Sequence, residues 1–296
     1  MEIDFISIDV ETANADLSSI CKIGIVFFKD GKIINKWESL INPEDYFDDT
    51  NIFIHGITEK DVKNAPLFID IYSELVDFLD KKIVTHHTFF DRTAINRAIE
   101  KYNLKPINPI WLDTAKVVRR TWEEFAYKGY GLKNMSKVLK IDFIHHDPLE
   151  DARLSGMILI EAMNKLSLNI EDIIKRTNKS IKRLFKYKVG ERPQFEENKI
   201  DLTPNEDGIF FGESITFTGQ LSMSRDRAID LALQVGCTVG KGVTKKTTLL
   251  IVGDQDIKRL AGFEKSSKHR KAEELILNGQ NIQILCESDF LSMINS

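Results

Sequence analysis

The 296-residue chain reads as an α/β protein in two units, one over residues 1–166 and a smaller one over 208–296. Three observations carry that expectation. Residues 1–166 open with three strand-like apolar runs and continue with short strands alternating with helical periods. Residues 190–207 turn polar, with Pro193, Pro204 and the acids Glu196, Glu197, Glu206 and Asp207, which is linker composition. Residues 208–296 begin a second alternation of strands and helices, the pattern of a small parallel sheet covered on both sides. A hydrophobic content of 42% with 29% charged residues is ordinary for a globular protein. The formal charge of −4 means that any nucleic-acid contact must come from local patches. Cys21, Cys237 and Cys286 lie far apart with no C-x-x-C pair, which argues against a zinc site or disulfide framework and for a reducing compartment. No cleavage signal or membrane-length apolar run is visible, so a cytoplasmic protein without membrane association is expected.

The first strand is Phe5-Ile-Ser-Ile-Asp9-Val-Glu11-Thr12. Side chains two apart on a strand share a face, so Asp9 and Glu11 project side by side. Two carboxylates so close repel, and burying them is costly unless a hard divalent cation with a preference for oxygen ligands lies between them. The alternative is a strand end whose acids face water. Residues 21–28 and 32–41 supply two more strands, with Lys29-Asp30-Gly31 as hairpin turn between them. Asn42-Pro43 breaks the meander, and a loop is expected as far as His55-Gly56-Ile57-Thr58. Thr58 caps a short helix through Asp61, and Ile71, Leu75, Phe78 and Leu79 give residues 68–79 a helical period.

Lys82–His86 is a short strand that delivers His87-Thr-Phe-Phe-Asp91 to the mouth of a helix through Ile95 and Ile99. Asp91 there either favours the helix dipole or serves chemistry. Trp111-Leu-Asp113-Thr114 opens another helix through Val117 and Val118. In His145-His146-Asp147-Pro148-Leu149-Glu150-Asp151-Ala152, Asp147 suits an N-cap, Pro148 the first helical position and Glu150 the reciprocal place of a capping box. That leaves His146 and Asp151 without a structural explanation.

The order Asp9-x-Glu11, Asp91, then His146 and Asp151 resembles the DEDDh family of 3′–5′ exonucleases, which includes the proofreading epsilon subunit of bacterial replicative polymerases. Asp9-Val-Glu-Thr12, His55-Gly-Ile-Thr58, Phe90-Asp91, Asp113-Thr114, Gly131-Leu132 and His146-x4-Asp151-Ala152 extend the likeness over residues 3 to 166. The resemblance implies a ribonuclease H-like fold, a mixed sheet flanked by helices. It makes Asp9, Glu11, Asp91 and Asp151 holders of two Mg²⁺ or Mn²⁺ ions and His146 the general base. It also implies cleavage from the 3′ end to nucleoside 5′-monophosphates, with Thr12, His87 and Phe90 near the terminal nucleotide. Many relatives have Asn where His87 stands. The chemistry suits the residues: two divalent ions ~3.5–4 Å apart activate water and relieve leaving-group charge. A histidine with an ordinary pKa of about 6.5 can take the water's proton near neutrality.

From Asn169 a helix is expected with Ile170, Ile173, Ile174, Ile181, Leu184 and Phe185 on one face. Lys175, Arg176, Lys179, Lys182, Arg183 and Lys186 fall on the other, uninterrupted by acids. That face is either solvated or a handrail for a nucleic-acid backbone. In the tail, Ser214–Gly219, Cys237–Val239, Thr248–Gly253 and Ile282–Leu285 read as strands, and 224–235, 266–277 and 287–294 as helices. Thr216-Phe-Thr-Gly219-Gln-Leu, Ser224-Arg225, Gly236, Lys246-Thr247-Thr248, Ile251-Val-Gly253, Ser267-Lys268-x-x-Lys271-Ala272 and Asp289-Phe290 resemble a BRCT domain of the kind found in bacterial NAD-dependent DNA ligases. The resemblance makes Thr218, Gly219 and Lys268 or Lys271 a phosphate-binding set, and DNA ends or a replication or repair protein the partner. A Trp common in the family's last helix is absent, with Phe290 nearest. Two alternatives accompany the DNA exonuclease: an exoribonuclease trimming RNA 3′ ends with the same residues, and a non-catalytic BRCT adaptor.

Overall fold

The structure, a computed structural model, describes residues 3–126, 129–142, 144, 146–179, 181–185, 203–206, 208–254 and 265–294. Much of the polar stretch 190–207 therefore lies outside the described residues. Two sheets form. The first has five strands, β1 (Phe5–Thr12), β2 (Ile20–Lys29), β3 (Lys32–Leu40), β4 (Ile83–His86) and β5 (Ile110–Asp113), in the order β3-β2-β1-β4-β5. The meander β1-β2-β3 is antiparallel, and β4 and β5 add in parallel, which makes the sheet mixed. Asp30 (φ 51°) and Gly31 (φ 68°) both take the left-handed conformation that a two-residue hairpin turn demands.

Alternation along β1 sorts its side chains. Ile6, Ile8 and Val10 join the apolar cluster with Leu75 and Leu79 of α3 (Phe68–Leu79) and Ile95 of α4 (Phe90–Lys101). Phe5 joins the opposite cluster, with Val117 of α5 (Thr114–Thr121) and Leu154 and Ile158 of α7 (Pro148–Leu166). Asp9 and Glu11 share the parity of Phe5 and so belong to the α7 side. Helix α7 comes very close to the sheet because two glycines let it. A Cβ on Gly24 of β2 would lie 2.5 Å from Leu149 N, and one on Gly156 would lie 2.3 Å from the Phe28 ring.

Several elements differ from expectation. The expected loop before His55 contains α1 (Asp49–His55), because Asp48 accepts from Thr50 N at its start and Gly56 (φ 75°) ends it. The short helix α2 (Glu59–Val62) follows, with Thr58 N donating to Asp61 as expected. Strand β5 stands where only a helix start was expected; four parallel edge residues are too few to show a period. Helix α6 (Leu132–Leu139) is likewise additional. The basic helix is broken into α8 (Ile170–Thr177) and α9 (Ile181–Phe185). Glu150 closes no capping box; it binds Arg153 Nε at 2.9 Å, while Asp147 alone caps α7 through Leu149 N and Glu150 N.

The second sheet, β6 (Ser214–Thr218), β7 (Thr238–Gly240), β8 (Leu249–Val252) and β9 (Gln283–Cys286), is wholly parallel in the order β7-β6-β8-β9. Helices α10 (Arg225–Gln234), α11 (Ser267–Leu277) and α12 (Glu287–Ile294) accompany it. Among the described residues no helix is long and apolar enough to cross a membrane. Because Gly156 has no room for a methyl group, Gly156→Ala should lower stability by roughly 1–3 kcal/mol, read by chemical denaturation. A neutral effect would mean that α7 packs less closely than it does here.

Candidate active site

Strand β1 carries Asp9 and Glu11 to the point where the ladder with β2 is irregular, between Glu11 and Thr12. Such an irregularity re-aims the side chains at a strand end. Asp91 arrives from the first turn of α4 on the other side of the sheet. It is 2% exposed, and its Oδ1 accepts the Val10 amide at 3.0 Å, so it is fixed against the backbone between the two β1 acids. Asp151 arrives from the first turn of α7, 3% exposed, and its Oδ2 accepts the amide of His146 at 2.8 Å. His146 has φ 66° and stays solvent-exposed, with Nδ1 4.0 Å from Glu11 Oε1. Ligand atoms of Glu11, His146 and Asp151 all lie within 4.8 Å of one another.

The electrostatics are those of acids held together against their preference. Burial, then Asp91, Asp151, Glu11 and Asp147, push the Asp9 carboxyl well above the usual carboxylate range. Burial, then Asp151 and Asp91, do the same to Glu11, and Lys22 only partly opposes them. Asp91 is pushed up to about 8, chiefly by burial, although backbone donors including Val10 N–H favour its charged form. Among the described residues no lysine or arginine is ion-paired with Asp9, Glu11 or Asp91. Lys22, the nearest candidate, goes to Glu38 at 3.0 Å and Asp147 at 3.7 Å. A set of oxygen donors with excess negative charge fits hard divalent cations.

The other expected contact residues are placed less openly. Thr12 is 2% exposed, and its hydroxyl donates to Asn14 O at 3.1 Å in the following loop. His87 is 8% exposed, with Nδ1 2.9 Å from the Thr114 hydroxyl, which in turn meets Ser155, so the ring is linked through α5 to α7. Phe90 is half-buried against the α3–α4 core, and Phe89 packs edge-on against Phe210 at 5.2 Å. Lys175 and Lys179 are exposed, but the basic face is not free of acids, since Lys175 binds Asp172 at 3.0 Å. Arg176 is drawn away to the Arg120 carbonyl. The side chains of Lys182 and Arg183 lie outside the described residues.

In the second unit Thr218 is 5% exposed with its hydroxyl 2.8 Å from Ser266 Oγ, and Gly219 has φ 73°. Lys268 Nζ donates to the Phe217 carbonyl and Arg225 to that of Gly219, whereas Lys271 is paired with Glu274.

Sequence reasoning passed over Gly24 and Asn51, and gave His55 no role beyond its place in the family pattern. Gly24 pairs across the ladder with Asp9 and leaves the space into which the start of α7 fits; a glycine inside an apolar strand was the available signal. Asn51 and His55 of α1 both reach the Thr12 carbonyl, at 2.9 and 3.1 Å, and secure the residue after Glu11.

A mixed sheet with a cluster of mutually destabilised carboxylates at the end of its central strand offers the set of oxygen donors that hard divalent cations prefer. The Exonuclease family model (RNase_T) matches residues 6–159, slightly more than half of the chain, and the chain belongs to that family. Among curated relatives, the PolC-type DNA polymerase III of Caldanaerobacter subterraneus subsp. tengcongensis is 28% identical over 170 residues, covering 56% of this chain and 12% of the polymerase. That of Bacillus subtilis (strain 168) is 29% identical over 165 residues, covering 54% and 11%. The chain thus spans about an eighth of the length of these relatives or less. Among solved structures, exonuclease X in complex with 5′-overhanging duplex DNA is 25% identical with a TM-score of 0.48, covering 58% of this chain and 99% of that one.

The raised carboxyls and the close approach of α7 each make one outcome measurable. The ordinary carboxyl values are about 4, so the protons held in the folded, metal-free protein stabilise it at low pH. That contribution is lost as pH rises through the Asp91 value of about 8. In chelator the melting temperature should therefore fall between about pH 5 and 8.5, and Asp9→Asn should raise it at pH 8 by a few degrees, about 2–4 °C per kcal/mol. Calorimetry that showed Asp9→Asn to be destabilising would mean that Asp9 is already well compensated. Second, Gly24→Ala should displace the start of α7, with at least a tenfold loss of nuclease turnover in a protein that still folds.

Proposed function

We propose that the chain is a 3′–5′ exonuclease that hydrolyses phosphodiester bonds at DNA 3′ ends and releases nucleoside 5′-monophosphates. The observation that carries this is the convergence of Asp9, Glu11, Asp91 and Asp151 from β1, α4 and α7, with the carboxyls of Asp9, Glu11 and Asp91 driven upward by burial and mutual repulsion. These four residues would hold two divalent ions, Mg²⁺ or Mn²⁺. When bound, such ions lower the pKa of water and neutralise charge developing on the phosphate. Membership of the Exonuclease family supports a nuclease, and the naming of the curated relatives as DNA polymerases supports DNA as the polymer.

The residues of the chain divide the remaining work. Val10 N–H and the first turn of α4 hold Asp91 in place, and Asp147 anchors the start of α7 so that Asp151 stays beside Glu11. His146 is tethered through its backbone to Asp151, while its exposed ring can accept a proton from the attacking water and pass it to solvent. Exposed Lys175 and Lys179 support the α8–α9 region, including Lys182 and Arg183, as a path for the strand's backbone.

In the same reading the second unit is a BRCT-type module for DNA or a replication or repair protein. The wholly parallel sheet supports it, as do Lys268 and Arg225 gathered at the Phe217–Gly219 turn, where an anion would meet Thr218 and Gly219.

The test is a 5′-labelled single strand incubated with Mn²⁺. A ladder shortened from the 3′ end is expected, and Asp9→Ala should abolish it. His146→Ala should bind the strand normally by anisotropy yet turn over about 10²–10⁴-fold more slowly. Equal loss of binding and rate would remove His146 from the role of base. Faster degradation of a matched RNA would overturn the assignment to DNA.

A further inference from the structure

The C-terminal unit touches the nuclease sheet at the residues that follow Glu11, and it does so through buried charge. We propose that the second unit is a clamp that positions the end of the catalytic strand, with Arg97, Asp289 and Lys265 as its positioning residues. This inference rests on the site assigned above.

Residues 13–19 form a closed loop directly after β1, with Ala13 N bonded to Ser19 O and Ser19 N to Asp16 O. The start of α12 takes hold of that loop. Asp289, 0% exposed, accepts the Leu17 amide on Oδ2 at 3.0 Å, and the Cys286 amide donates to the Ala15 carbonyl at 3.2 Å. Ala15 packs into the apolar cluster of Leu250, Val252, Ala272 and Ile276. The other oxygen of Asp289 receives Arg97 Nε at 2.9 Å, and Arg97 Nη2 reaches Ser288 Oγ. Arg97 lies on α4, the helix whose first turn bears Asp91. One buried carboxylate therefore ties together the loop after Glu11 and the helix of Asp91.

A second grip reaches the same point by another route. Lys265 Nζ bonds Asp48 Oδ2 at 2.7 Å and also Glu273, whose carboxylate accepts the Thr50 hydroxyl at 3.0 Å. Asp48 caps α1, and Ile54 of α1 packs into the same apolar cluster as Ala15. From α1, Asn51 and His55 bind the Thr12 carbonyl, and Asp48 N binds that of Ala13. The two grips thus meet at the Thr12 carbonyl and the loop that follows it, one residue beyond Glu11.

The spacing of Asp16, Cys286 and Asp289 would also suit a metal ion. The oxygens of Asp289 are already committed to Leu17 N–H, Arg97 and the Cys286 thiol, so the group is a protein–protein latch. Burying a charge at a junction is costly unless its partner is present, which makes the docked arrangement specific as well as adhesive. A merely tethered recruitment module has no need of such a junction.

The clamp is tested on the full chain with Arg97→Ala, Lys265→Ala and the conservative Arg97→Lys; Lys265→Ala serves if Arg97→Ala does not fold. Hydrogen exchange of residues 13–19 and 49–55, measured without metal, should quicken by about tenfold or more in both alanine variants. With the labelled strand, kcat should fall by about tenfold or more and the Mn²⁺ concentration for half-activity should rise, while KM for the strand stays within about twofold. Arg97→Lys should recover most of the rate. Unchanged exchange in the two segments, or quickened exchange with unaltered kcat, overturns the clamp. If the parent chain itself cleaves nothing, the nuclease reading fails, and the exchange experiment still decides whether the clamp exists.

Discussion

Four carboxylates that repel one another, brought to one strand end, are the constraint on which the rest of this molecule depends. Left to themselves, Asp9, Glu11, Asp91 and Asp151 would separate or sit in water. They stay because each is anchored by something other than its charge. Asp9 and Glu11 ride on the central strand of the sheet, whose apolar residues are buried on both faces. Asp91 is pinned to the Val10 amide and Asp151 to the His146 amide. The stability of the surrounding core offsets the strain, and the site is left with excess negative charge for a cation to relieve.

The same constraint explains the two tightest packing points. To bring Asp151 beside Glu11, α7 must begin almost in contact with β2, and only a residue without a side chain at position 24 leaves room. Gly156 repeats the device two turns along the helix, against Phe28 and Ser7. Site geometry and helix–sheet packing are one problem, and the two glycines are its shared solution.

What could be read from the chain alone follows from how local each signal is. The hairpin at Asp30-Gly31, the period of α3 and the cap of α7 by Asp147 are written within a few residues, and they appear where expected. The acids were legible because their order and spacing match a family pattern. Helix α1 and strand β5 were not, since α1 depends on a cap and a left-handed glycine around a nondescript run, and β5 on pairing with β4. His87 and Thr12 were expected to face a substrate, yet both are buried in hydrogen-bond networks. Which way a polar side chain turns is decided by distant partners such as Thr114, which no local pattern names.

The relation between the two units was the least legible feature, for the same reason. Arg97 and Asp289 are 192 residues apart in the chain; Arg97 alone looks like an ordinary helix charge, and the BRCT-like pattern that includes Asp289 names no partner for it. Their meaning arises only when α4 and α12 meet. A linker of polar composition suggests independence, but linker composition constrains only the covalent connection, not the surfaces it joins. Here those surfaces share buried charge, an apolar cluster that admits Ala15 and Ile54, and the Phe89–Phe210 ring contact. A unit held that way cannot leave without disturbing the loop after Glu11. Any ligand that draws the second unit toward another surface would therefore act on the carboxylate site as well, so recruitment and control of cleavage would be properties of a single interface.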